Sequence, residues 1–323
     1  MIIFNPLAGP ADVHLALGKV ADFWRGRGWV VVLQATQFRG HARQLAAEAA
    51  ADGYTLVLAG GGDGTLAEAA NGLAHSETIL APLPIGTGNV FAKELQMPRP
   101  NMVDHRPLVE ASAKLASGRV HQMDIGQFAD GYYWLLWAGT GVDGYLVDRL
   151  EPRPKAIKRL GSVGYALQSA FIIPQFPGLQ ATVQVDDQQV DGEFVLITIT
   201  NVRLFAGGVL ELNPGAALDD GKFEVWLVHG KGLPALSRLM LATTIGLGAD
   251  HSDITVLPGR RVVVQAKEEM PVHADGDPHG TTPFHCNLIP GALRMLIPQS
   301  APAGLFTQPG VALAQLVAGQ QSQ

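Results

Sequence analysis

With 323 residues and 47% hydrophobic composition, the chain has room for two domains with cores of their own, which excludes a disordered or fibrous protein. A formal net charge of −6 leaves no basic excess to replace the counterions around a polyphosphate, so a nucleic-acid partner is not expected. A single cysteine, Cys286, rules out an internal disulfide and suits a reducing compartment. The first residues lack the pattern of a signal peptide, and no apolar run approaches the ~18–20 residues that span a bilayer. A cytoplasmic protein is expected, with peripheral attachment to a membrane left open.

Ile2-Ile-Phe4 reads as a short strand running into Asn5-Pro-Leu-Ala-Gly9, a turn pinned by its proline and glycine. Leu15, Ala16, Val20, Phe23 and Trp24 recur at helical spacing until Gly26 and Gly28 stop them. Trp29 to Gln34 reads as a strand, His41 to Ala51 as an Ala-rich helix, and Tyr54 to Ala59 as a strand that feeds Gly60-Gly-Gly-Asp-Gly-Thr65. A further strand, Ile79 to Pro84, ends in Gly86-Thr-Gly-Asn89, and helical patterns cover Asn89 to Gln96 and Leu108 to Gly118. Strands alternating with helices imply right-handed crossovers and a parallel sheet. The expectation is an α/β domain over residues 1–121 whose strand-end loops converge on one crevice.

The glycine stretch carries the most information. Without side chains, Gly60, Gly61 and Gly62 can bring backbone N–H groups against a phosphate, and the following helix adds its positive end. Turn geometry alone would explain one or two glycines, not four around Asp63. No Gly-Lys-Ser/Thr follows, so this is not a Walker A loop. Thr36 reads as a plain strand-end residue; Thr65 and Thr87 read as helix caps, ligand contacts, or both.

From Val120 the pattern becomes strand after strand to Ile297, interrupted by helices over Ile157 to Ile172 and Leu233 to Leu247. Asp130-Gly131, Asp191-Gly192 and Asp220-Gly221 read as the turns between strands. An antiparallel β-sandwich or barrel over residues 122–297 is expected, with residues 298–323 either returning to the first domain or fraying. Tyr132, Tyr133, Trp134, Trp137, Phe171 and Phe176 would line an apolar slot or simply fill the core. Lys155, Lys158 and Arg159 form the one conspicuous basic cluster, either a solvated helix end or a contact for anionic headgroups. His273, His279 and His285 match no compact zinc-ligand spacing and read as strand-face residues.

Three segments in order, Asn5-Pro-Leu-Ala-Gly9, Gly61-Gly-Asp-Gly-Thr65 with Glu68 and Asn71-Gly72, and Pro84-Ile-Gly-Thr-Gly-Asn89, resemble the signatures of the diacylglycerol kinase catalytic domain. That family includes bacterial lipid kinases and sphingosine kinases, and its second motif is shared with NAD kinases. Further matches lie at Ala138-Gly-Thr-Gly-Val-Asp143, Asn201 to Gly208, Pro214 with Leu218-Asp-Asp-Gly221, Asp275-Gly-Asp277 and Pro290-Gly-Ala-Leu293. The resemblance implies ATP and Mg²⁺ as cofactors. It places nucleotide contacts at Asn5, Pro6, Gly9, Thr36, Gly61, Gly62, Asp63, Gly64, Thr65, Glu68, Thr87 and Asn89. It also implies a structural magnesium held by Asp220 with the carbonyls of Ala217 and Lys222. The chain departs from the pattern twice. Pro10 stands where members often carry a basic residue, leaving Lys93, Arg39 and Arg43 as substitutes, and Asp277 stands where the family has a glutamate.

Phosphoryl transfer needs a phosphate cradle, a divalent cation and a group that takes the acceptor's proton. The glycine loops supply the cradle; Asp277 is expected to be the base, Asp63 to organise Mg²⁺ and phosphates, and Asp275 to support them, with the roles of Asp63 and Asp277 exchangeable. The expected function is an ATP-dependent kinase of a diacylglycerol-like or sphingoid lipid. A NAD kinase-like enzyme and a catalytically silent lipid- or nucleotide-binding protein on the same fold stay open, as does a homodimer.

Overall fold

The structure is a computed structural model, and it describes residues 1–9, 13–86, 88–99, 106–150, 171–244 and 252–320. The chain divides into two compact units. The first comprises Met1–Ile125, Ala217–Asp220 and Pro290–Gln323, and the second Gly126–Ala216 and Gly221–Ile289.

The first unit begins with β1 (Ile2–Phe4), α1 (Val13–Arg25), β2 (Leu33–Ala35), α2 (His41–Ala51), β3 (Leu56–Gly61), α3 (Asp63–Leu73) and β4 (Ile79–Pro84). Strands β4, β3, β1 and β2 lie side by side in that order and all run parallel, with Leu56 opposite Ile79, and Ile2 opposite both Leu58 and Leu33. Parallel strands with helices on their faces must be apolar on both sides, and β1, β3 and β4 are buried at every position. The strand expected over Trp29 to Gln34 is shorter, because only Leu33–Ala35 reaches β1. Helices α2 and α3 approach at Gly72, where a Cβ would lie 2.3 Å from the carbonyl oxygen of Arg43. Next come α4 (Val90–Glu94), α5 (Arg106–Ala116) and β5 (Arg119–Phe128).

The second unit contains β6 (Tyr133–Trp134), β7 (Trp137–Gly141), α6 (Val142–Leu150), β8 (Leu179–Val185), β9 (Gln188–Thr200), β10 (Leu204–Phe205), β11 (Leu210–Glu211), β12 (Phe223–His229), α7 (Gly232–Thr244), β13 (Ile254–Gly259), β14 (Arg261–Ala266), β15 (Pro271–Ala274) and β16 (Asp277–Thr281). Strand β9 is its spine: the first half pairs with β8 and the second with β7 and β12, all antiparallel. Asp191-Gly192 is therefore not a turn but lies inside β9; the reversal falls five residues before Asp191, at Asp186, whose φ is +49°. The expected strand over Tyr132 to Ala138 is broken at Leu135 and Leu136. The expected helix over Ile157 to Ile172 and the basic cluster Lys155, Lys158 and Arg159 lie outside the described residues, apart from Phe171 and Ile172.

Strand β17 (Phe284–Ile297) is a single strand despite Pro290-Gly291. Its first part pairs with β14, and Met295 lies opposite Leu80 of β4, parallel, so the chain's end completes the first unit's sheet. There β18 (Val311–Ala312) pairs with β5 and leads into α8 (Leu313–Gln320). Backbone bonds from Asp124 to Leu218 and from Leu218 to Leu305 fasten this return, and the Asp219 carboxylate accepts N–H bonds from Thr307 and Gln308 at 2.6 and 2.8 Å. Among the described residues, no helix is long and apolar enough to cross a membrane.

The histidines divide by environment, and among the described residues no group of three His, Cys, Asp or Glu side chains is placed to hold a metal ion. His273 is buried and its Nε2 lies 2.8 Å from Asp143 of α6. His279 stacks on Phe128, 4.3 Å between centroids, beside Tyr132, with Nε2 3.2 Å from Asp130. Burial lowers its affinity for a proton below that of a free imidazole, against the opposing pull of Asp130.

Gly72→Ala gains up to ~1 kcal/mol of helix propensity but drives a methyl into backbone that cannot move aside. The net expectation is a loss of about 1–3 kcal/mol, read as a lower urea midpoint. For His279, a folded pKa below the unfolded one means that the unfolded chain binds more protons as pH falls. Its contribution is complete above the unfolded value of about 6.5 and is lost as acid protonates the folded ring. The stability difference between wild type and His279→Gln should therefore shrink from pH 7.5 downward, about pH 7.5 being a reference at which imidazole is neutral; a constant difference across that titration would discard this role.

Candidate active site

All the loops expected at the nucleotide site sit at the carboxyl ends of the first unit's strands, and three of them touch. Asn5 donates its N–H to the carbonyl of Gly60 at 2.8 Å, continuing the β1–β3 ladder to its end. The N–H groups of Ile85 and Gly86 both bond the carbonyl of Gly61 at 3.0 Å, tying the loop after β4 to the loop after β3. Gly9, in the left-handed region at φ +74°, leaves only 2.7 Å between a notional Cβ and the side chain of Ile85. Thr36 joins from the other side through its N–H to the carbonyl of Phe4 at 2.8 Å. Sequence-distant loops are thus brought together by parallel register alone.

The glycines work in two ways. A Cβ at Gly61 would fall 2.3 Å from the Thr65 hydroxyl, and one at Gly86 would fall 2.8 Å from the Cα of Gly62, so these positions allow loops to pack on each other from behind. A Cβ at Gly62, by contrast, would meet nothing within 4 Å among the described residues. Gly62 is the residue at the cap of α3, with no side chain capping that helix, so its surroundings are open where the first turn's N–H groups emerge. Thr65 lies inside the first turn and is buried rather than at the cap. Asn89 caps α4 in a left-handed conformation, φ 48°, and its amide donates to the carbonyl of Gly86. Pro6 is exposed, and the Asn5 amide oxygen accepts from the N–H of Leu7 at 2.9 Å. Gly64 follows Asp63 in the first turn of α3, and Thr87 lies outside the described residues.

Asp63 turns its carboxylate onto the next loop: Oδ2 accepts from Val90 N–H at 2.9 Å and Oδ1 from Phe91 N–H at 3.0 Å. A notional Cβ on Gly88 would lie 3.5 Å from the same Oδ2. Desolvation raises the carboxyl above its ordinary range, while the two N–H bonds and the Lys93 ammonium act to lower it. Lys93 is itself lowered, first by burial and then by the like charge of Arg99, with Asp63 opposing. Of the three cations expected to replace the missing one at Pro10, Lys93 is thus the one electrostatically coupled to Asp63. Glu68, one helical turn further along α3, has a task that no local signal announced. Its two oxygens accept from Gly40 N–H at 2.8 Å and Ala42 N–H at 3.1 Å, clamping the start of α2.

In the second unit, Asp275 and Gly276 have φ of +51° and +84° and connect Ala274 to its partner Asp277, a two-residue hairpin turn of the primed kind. The Asp275 carboxylate does not face outward from this turn. It accepts N–H bonds from Leu135 at 2.9 Å, Leu136 at 2.7 Å and Trp137 at 3.3 Å, the residues at which the expected strand breaks. Asn201 braces the same bend, donating its amide to the carbonyl of Leu135 at 3.1 Å. Asp277 follows half-buried as the first residue of β16. Of the residues expected around a structural magnesium, Ala217 and Asp220 belong to the first unit and Lys222 to the second. Gly221 has φ +76° while Asp220 is not left-handed, so this turn is not of type I′.

Comparison with known proteins identifies the family and the fold. Residues 1–128 match the family described as the diacylglycerol kinase catalytic domain, and residues 139–297 match the YegS C-terminal NAD kinase beta sandwich-like domain. The chain is 30% identical to a diacylglycerol kinase of Bacillus subtilis (strain 168) over 287 residues, covering 87% of this chain and 90% of that protein. It is 29% identical over 314 residues to a protein of Pseudomonas putida (strain KT2440) that is a YegS-like lipid kinase by name, covering 96% and 98%. Two solved chains from Bacillus anthracis str. Sterne share the fold. One superposes with a TM-score of 0.76 at 24% identity, covering 93% of this chain and 95% of its own, and the other, named a diacylglycerol kinase, with 0.69 at 23%, covering 93% and 97%. A parallel α/β unit with a glycine-lined loop cluster, an antiparallel sandwich-like unit and a 30% identical relative matched over nearly its whole length place this chain in the diacylglycerol kinase family of lipid kinases.

Proposed function

We propose that the protein transfers the terminal phosphate of ATP, with Mg²⁺, to the hydroxyl of a diacylglycerol-like or sphingoid lipid. The observation that carries this reading is the contrast within the glycine loops: Gly61 and Gly86 are packed tight from behind while the space in front of Gly62 is open. A floor of backbone N–H groups at a helix start is suited to phosphate oxygens and has no side chain in the way. Asn5, Pro6 and Gly9, then Thr36, then Gly61, Gly62, Gly64, Thr65, Thr87 and Asn89 are assigned to the nucleotide around it.

A Mg²⁺ ion neutralises charge on phosphate oxygens when bound and is held mainly by those oxygens, water and one or two carboxylates. Asp63 fits that demand. Its two oxygens accept N–H bonds from Val90 and Phe91, and a carboxylate has more lone-pair sites than these bonds use, while the loops hold it in place. Lys93 places a positive charge beside the same group. Asp277 is assigned as the base that takes the lipid hydroxyl's proton. Asp275 becomes the residue that sets its position, since a turn bolted to three N–H groups fixes where the next carboxylate emerges. The apolar second unit is assigned to the lipid.

The test is transfer of labelled phosphate from ATP into a panel of diacylglycerols and sphingoid bases. Asp277→Asn is expected to lower turnover by ~10²–10⁴ with little change in melting temperature. Asp63→Asn should lower turnover and also cost about 1–3 kcal/mol of stability, because the two N–H groups bond different oxygens and the amide NH2 would confront one of them. Unchanged turnover in both variants would discard the assigned site, and label appearing in added NAD but in no lipid would replace the lipid with a dinucleotide.

A further inference from the structure

Phe38 is 59% exposed, and it is one of the large apolar side chains that the first unit leaves in solvent. It is not loose. Its ring stacks on that of His41 with centroids 4.5 Å apart and planes 20° apart. The His41 ring is in turn held in place, because its Nδ1 accepts the N–H of Gln37 at 3.0 Å, which leaves the proton of the neutral tautomer on Nε2. The loop is also closed on itself by the His41 N–H bonding the carbonyl of Phe38 at 3.2 Å. One face of the phenyl ring is covered by imidazole, so the exposed area lies on the other face and the edges.

The place of this pair in the fold gives it a use. Residues 36–41 follow β2, and the glycine cradle follows β3; both strands pair with β1, with Phe4 opposite Ala35 on one side and Gly60 on the other. Two strand spacings separate the loops, about 10 Å. That is the kind of gap a ribose and its nearest phosphate bridge. Glu68 fixes the interval, since it belongs to the same helix as Asp63 and its carboxylate grips Gly40 and Ala42 at the base of the aromatic pair. A flat apolar face, supported from beneath and locked at a set distance from a phosphate cradle, is what a purine requires.

We propose that Phe38, backed by His41, is the platform on which the nucleotide's adenine stacks, with Glu68 as the positioning residue that holds the platform to the phosphate loop. The proposal rests on the ATP reading above. It makes the base, and not only the phosphates, a source of affinity in this chain.

Calorimetric titration of the full chain with MgATP and, separately, with magnesium tripolyphosphate tests it. Phe38→Ala removes an exposed ring and should fold normally; its affinity for ATP is expected to fall roughly 5- to 100-fold while tripolyphosphate binding is unchanged. Phe38→Trp, with a larger face, should bind ATP at least as tightly as wild type. Equal ATP affinity in wild type and Phe38→Ala would overturn the platform while leaving the nucleotide reading standing. Equal weakening of ATP and tripolyphosphate, or a loss in Phe38→Trp as deep as in Phe38→Ala, would overturn it too. A wild-type chain that binds tripolyphosphate no less tightly than ATP would also end the platform, and one that binds neither would end both readings.

Discussion

A carboxylate placed against the backbone N–H groups of a distant segment is the interaction on which this molecule depends. Asp63 holds Val90 and Phe91, Glu68 holds Gly40 and Ala42, Asp275 holds Leu135 to Trp137, Asp219 holds Thr307 and Gln308, and Asp186 holds Arg260 and Arg261. Loops rich in glycine lose more conformational entropy on ordering than others and have few side chains with which to recover it. A charged acceptor shared by two or three N–H groups is among the stronger bonds available for the purpose, and it leaves the outward face of the loop bare. Order is thereby imposed from behind, and a ligand meets backbone.

This changes what the acidic residues of the site are for. Read as chemistry, Asp63 and Asp275 are candidates for metal or proton work and Glu68 for a nucleotide contact. In the fold each is first a fastening, and whatever chemistry Asp63 performs it performs with its geometry already set by α4. The raised carboxyl of Asp63 reflects the same compromise, since burial works against its charge while the N–H groups and Lys93 favour it.

Much of the fold was legible because periodicity reports burial: the alternation of buried strands with helices in the first unit and the run of strands in the second follow from residues that must face a core. The glycine motifs were legible because few other reasons exist for four glycines around one aspartate. What escaped were interactions between segments far apart in the chain. Glu68 reaches back 28 residues to Gly40, and Asp275 reaches 140 residues to Leu135, and no local pattern encodes either. The misplaced turn at Asp191-Gly192 has a different cause. Its Asp-Gly signal is the same as that of a real hairpin, but pairing of Gly192 with Ala181 and of Asp191 with Thr182 outweighs the local preference.

The strand that lies beside β4 arrives late. Met295 sits opposite Leu80, and the segment carrying it is separated from the rest of its sheet by nearly the whole of the second unit. During synthesis the ribosome releases the material for the second unit before it releases this strand of the first, so the α/β unit waits with one sheet edge uncovered until translation is almost complete. No single cut in the gene separates the two units: a fragment ending near residue 125 would expose that edge, and a contiguous piece that closes it must run on through β17.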